Sequence, residues 1–102
     1  MNKSLIFDTK SEKEVINLLK EQENGKPPMF FIDKFTCKCN ADGDWIVAFR
    51  ISTINDETQK YDKQKIYKLR SKLGGIRRFC RLNGVLRFMQ KVGVDKFTVL
   101  TN

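Results

Sequence analysis

The chain has 102 residues, of which 20 are Lys or Arg, 12 are Asp or Glu and none is His, giving a formal net charge of +8. That length suits one domain, 1–102, around one core, and a composition 40% apolar and 31% charged excludes a disordered chain. The lack of histidine removes the commonest general base, and no stretch approaches the ~20 apolar residues of a membrane span.

In chain order, Ser4 to Asp8 reads as a short first strand. Its three consecutive apolar residues are too few for a secretion signal. Ser11-Glu12-Lys13-Glu14 fits a capping box, in which the serine oxygen and the Glu14 carboxylate each accept a backbone N–H of the other's residue. Val15, Ile16, Leu18 and Leu19 follow at helical spacing, so 12–22 is predicted to be an amphipathic helix. Asn24-Gly25 ends it, and Pro27-Pro28 forbids its return.

Met29 to Cys39 alternates as a strand, with Met29, Phe31, Asp33, Phe35, Cys37 and Cys39 on one side. Asn40 to Asp44 is a turn, and Trp45 to Thr53 is the return strand of an antiparallel hairpin. Val47, Phe49 and Ile51 share one face of it with Trp45. Asn55 to Thr58 reads as a polar loop.

From Asp62, a helix cap, the spacing of Ile66, Leu69 and Leu73 predicts a second helix. Gly74-Gly75 either ends it or sits inside a longer helix, because Ile76 and Cys80 continue the three-four spacing. Asn83-Gly84 could make a tight hairpin, but Val85, Phe88, Met89 and Val92 fit a helix better than a strand. Gly93 closes this region, and Lys96 to Thr101 reads as a last strand. The resulting order is β-α-β-β-α-(α)-β. That is an α+β domain with an antiparallel sheet and helices on one face, the ferredoxin-like order.

Charge is divided unevenly along this plan. Residues 1–59 hold eight basic and ten acidic side chains, whereas 60–102 hold twelve and two. Between Lys63 and Lys91 lie ten cations and no carboxylate: Lys63, Lys65, Lys68, Arg70, Lys72, Arg77, Arg78, Arg81, Arg87 and Lys91. Such a face repels itself in water, and a polyanion relieves the repulsion. On a helix over 63–82, Lys63, Arg70, Arg77 and Arg81 fall on one flank with Gly74, whose missing Cβ lets a phosphate backbone approach. Arginine suits phosphate because its planar fork donates two parallel hydrogen bonds.

The expectation is therefore a nucleic-acid-binding protein, DNA or RNA, that holds phosphates through this helical face as a regulatory or accessory factor. Lys63, Lys68, Arg70, Lys72, Arg77, Arg78, Arg81, Arg87 and Lys91 would contact phosphate, with Gln90, Asn83 and Arg87 available to read bases. Ile76–Asn83 and Val85–Val92 about Gly84 outline a helix-turn-helix, although Gln90 stands where that motif wants an apolar residue. Trp45 and Phe49 faintly resemble the stacking aromatics of an RNA-recognition sheet. The basic residue and paired aromatics of that module are missing, so the helices rather than the sheet are expected to bind. The alternative is an inhibitor or adaptor, of the kind found on phages and plasmids, that docks on an acidic or nucleic-acid-processing protein partner.

No enzyme, cofactor or membrane association is expected. Cys37-x-Cys39 has too few companions to close a metal site, and Asn40 to Asp44 lacks the glycine and the twelfth-position Glu of a calcium loop. Asp33, Asp42 and Asp44 lack the partner residues of a nuclease and read as strand and turn. Three cysteines, an odd count, suggest reduced thiols in a cytoplasmic setting.

Overall fold

The computed structural model describes residues 8–23, 30–55 and 57–100, with the side chains of Phe30, Tyr61 and Asp62 excepted. The elements are β1 (Thr9–Ser11), α1 (Glu12–Glu23), β2 (Phe30–Cys39), β3 (Trp45–Asn55), β4 (Lys60–Arg70), α2 (Leu82–Val92) and β5 (Thr98–Leu100). They form a five-stranded mixed sheet in the order β1-β4-β3-β2-β5. The three central strands pair antiparallel, and the short edge strands β1 and β5 pair parallel to β4 and β2. This overturns the antiparallel ferredoxin-like order.

The helix α1 forms for the local reason expected. The Ser11 N–H donates to Glu14 Oε1 at 3.0 Å, and the Glu14 N–H donates to Ser11 Oγ at 3.2 Å, closing the capping box. Residues 4–7 of the first strand expected over Ser4 to Asp8, and the Asn24-Gly25 and Pro27-Pro28 stop signals, lie outside the described residues, and Asp8 itself precedes β1.

The β2–β3 hairpin also follows its alternation, with one change of phase. Lys34 takes a positive φ of 54°, and the register with β3 shifts between Asp33 and Thr36. This bulge puts Ile32 on the same buried side as Phe35 and Cys37, where uniform alternation would set it opposite them. The Asn40 side chain closes the turn by accepting the N–H groups of Asp42 and Asp44.

The decisive correction is β4. Residues 60–70 are a strand, not the expected second helix. The Asn55 carbonyl accepts the Gln59 N–H at 2.7 Å, its side chain accepts the Glu57 N–H, and Gln59 adopts a φ of 58°. That tight turn returns the chain along β3, pairing Phe49 with Tyr67 and Ala48 with Lys68. Tyr67 and Leu69 then reach the core side at a spacing of two, and Leu69 is fully buried. Ile66 and Leu73, expected in a helical core stripe, are exposed instead.

Gly74-Gly75 neither ends nor crosses a helix. Ser71–Gly75 is a second tight turn, after which Ile76 pairs back with Arg70 and Phe79 pairs with Trp45. Residues 76–79 are extended and 80–81 bend into α2, so the helix-turn-helix outline fails. Asn83-Gly84 lies inside the first turn of α2, and Gly84 is small because the Phe79 ring packs over it. A Cβ at Gly84 would sit 3.2 Å from Phe79 Cδ2. Gly93 ends α2 in a left-handed cap, as expected.

Val15 of α1 and Val85, Phe88 and Met89 of α2 bury together with Ile32, Phe35, Cys37, Val47, Phe49 and Leu69 of the sheet. All three cysteines are free thiols, and burial pushes the Cys37 thiol up in pKa. Among the described residues, no helix is long and apolar enough to cross a membrane.

Candidate nucleic-acid interface

The Lys63–Lys91 stretch is a strand, a turn, an extended crossing and a helix, so its cations do not share a helical face. The fold nevertheless gathers six of the ten. Arg70 at the end of β4, Lys72 in the turn, Arg77 in the extended crossing and Lys91 at the end of α2 line one hollow beside Glu12 and Lys13 of α1. Arg77, Lys91 and Glu12 also line a second hollow with Arg87, and Arg87 lines a third with Arg81 and Asn83. Shared linings make the three one band. Seven cations border it, counting Lys13, and Glu12 is the only carboxylate among its lining residues.

The remaining predicted site residues fall elsewhere. Lys63 is exposed on β4 away from the band. Lys68 lines a separate hollow of the sheet with Lys38, Ala48 and Leu100. Arg78 faces the β2–β3 turn, 3.5 Å from Asp42 and 3.7 Å from Asp44. Gln90 is exposed on α2 but does not line the band.

Carboxylates of the N-terminal half hold part of the positive charge. Glu12 accepts from Lys91 Nζ at 2.7 Å and from Arg77 Nη1 at 3.0 Å. Glu14 accepts from Arg70, and Asp8 accepts from Lys65 Nζ at 2.7 Å. The Arg77 guanidinium also lies over the rings of Phe79 and Phe88, at 4.6 and 5.9 Å from their centroids. The side chains of Lys72, Arg81 and Arg87 have no ion-pair or hydrogen-bond partner among the described residues. The N-terminus of α2 beside Arg81 has no side-chain cap and no acid in its first turn, so its N–H groups add positive potential to the band.

Glu12 acts as the band's internal counterion. The hydrogen bond from Lys91, joined by that from Arg77, holds its carboxyl below the usual range despite some desolvation. In Glu14 the hydrogen bond from the Ser11 N–H is the largest cause of the lowering, with the Arg70 and Lys10 charges adding to it. Both folded-state pKa values are depressed, so their contribution to stability is complete above the ordinary carboxylate range. It is lost as pH falls through the folded values. These half-exposed pairs contribute no more than about 1 kcal/mol each, so a phosphate can displace them. Glu12→Gln is accordingly expected to tighten polyanion binding by about 3–10-fold at ~50 mM salt, read by fluorescence anisotropy. A loss of affinity would show that Glu12 organises the band instead of competing within it.

Lys13 escaped the sequence reading of the site because it sits in a half of net negative charge. The turn that carries Lys72 was signalled only by Ser71 and the two glycines after it, which also fit a helix end. Comparison with protein-family models, curated proteins and solved structures finds no match to this chain.

Proposed function

We propose that this chain is a small basic nucleic-acid-binding protein, with a binding and not a catalytic role, that holds a phosphate backbone along the band from Lys13 to Arg81. One observation carries the reading: seven cations from five separate segments border adjoining hollows with a single carboxylate among the linings. A solvated surface commonly mixes the two signs, and a single-sign groove concentrates field on a polyanion. Arg70, Arg77, Arg81 and Arg87 offer planar forks to phosphate, and the uncapped start of α2 offers backbone N–H groups. Backbone contacts of this kind supply affinity without sequence reading, which suits an accessory factor.

The test is anisotropy of labelled duplex and single-stranded oligonucleotides across salt. With six or seven phosphate contacts, affinity is expected to fall by about 10^3–10^4 between ~50 and ~200 mM salt. If neither oligonucleotide binds at ~50 mM, the reading is lost, and an acidic protein surface becomes the polyanion that the band fits best.

A further inference from the structure

Leu73 is the most exposed large apolar residue among the described residues. Its relative accessibility is 101%, so its side chain touches nothing in the fold. It is also held firmly. The Ser71 N–H donates to the Gly75 carbonyl at 3.0 Å, the Gly74 N–H donates to the Ser71 carbonyl at 3.1 Å, and Ser71 Oγ bonds the Gly74 carbonyl. Gly74 and Gly75 take φ values of 89° and 71°, which a residue with a Cβ rarely adopts, and the Arg70–Ile76 pair closes the stem. The turn thus presents a leucine at a braced tip. Lys72 adjoins it, and Arg70 and Arg77 on the two stems line the same hollow.

We infer that Leu73 is an apolar wedge for duplex DNA, entering a base step from the minor groove while Arg70, Lys72 and Arg77 hold the flanking phosphates. This rests on the nucleic-acid reading and goes beyond it, because it names a duplex as the ligand and bending as the outcome. Proteins that bend DNA from the minor groove insert apolar side chains between base steps and hold the backbone with cations on either side. The minor groove is about 6 Å wide, too narrow for a helix but open to one side chain on a tight turn. Holding the tip rigid before binding lowers the entropy lost on insertion. Pyrimidine–purine steps such as TA unstack most easily and are the expected points of entry.

The experiment uses the full chain and a duplex of about 12 base pairs with 2-aminopurine at its TA steps and a donor and acceptor at its ends. The wild-type protein is expected to raise 2-aminopurine fluorescence severalfold and to shorten the end-to-end distance. Leu73→Ala is expected to melt with the wild type, because the side chain packs on nothing. It should bind with the same salt slope yet lose both signals, and Leu73→Phe should keep them. If the wild type binds without unstacking or bending, or if Leu73→Ala retains both, the wedge is refuted while phosphate binding stands. If the wild type fails to bind the duplex at low salt, the wedge is refuted, and the nucleic-acid reading falls with it only if the single-stranded oligonucleotide also fails to bind.

Discussion

Phe49→Ala is expected to cost about 3–5 kcal/mol, a large part of the ~5–15 kcal/mol that holds a domain of this size folded. Phe49 lies on β3, the central strand of the sheet, and is 1% exposed. Its ring packs against Phe35 at 5.5 Å between centroids and stacks on Tyr67 at 6.2 Å with a 14° interplanar angle. Alanine removes both ring contacts and leaves a cavity between β2 and β4, whose rigid backbones close it poorly. At about 4–8 °C per kcal/mol, the melting midpoint should fall by at least ~12 °C by circular dichroism. Phe49→Leu, which keeps most of the volume, should lose much less. A loss under about 1 kcal/mol for alanine would mean that the β3–β4 pairing does not form the core.

Removing Lys72, Arg81 and Arg87 together to alanine is expected to weaken nucleic-acid binding by about 10^3-fold at ~50 mM salt. Each phosphate contact contributes about 0.9 to the slope of log affinity against log salt, and three contacts account for ~2.7. Taken from ~1 M down to ~50 mM, that difference accumulates to roughly three orders of magnitude. These three are the informative set because their side chains have no partner among the described residues, so their loss leaves no carboxylate unpaired. The melting midpoint should stay within a degree or two of the wild type, as for ordinary surface changes. Lys63→Ala, outside the band, is the control and should leave the slope nearly unchanged. A change in slope from Lys63→Ala about one third as large as that of the triple variant would show that charge acts through its total and not through the band.

The two substitutions probe different levels of the same sequence. The hairpin that places Phe49 was legible because Trp45, Val47, Phe49 and Ile51 alternate over a full strand beside a turn rich in Asn, Asp and Gly. The capping box was legible because Ser11 and Glu14 interact within one turn of chain. The excess of cations in the C-terminal half was also plain, since it is a property of composition.

The band was not legible. It depends on β4 being a strand, and the segment 60–73 offered a helical spacing in Ile66, Leu69 and Leu73 alongside the alternation of Tyr67 and Leu69. Two or three apolar residues fit either period, so the choice fell to the partner: pairing of Tyr67 with Phe49 on β3 fixes the extended form. That choice turns Gly74-Gly75 into a hairpin tip, exposes Leu73 and carries Arg77 back to Glu12, 65 residues away. Sequence by itself determined the capped helix, the first hairpin and the sign of the C-terminal charge, because each rests on neighbours in the chain or on counting. Only the tertiary structure decided which cations meet and which are neutralised, because those distances are set by strand pairing between segments that carry no mark of one another.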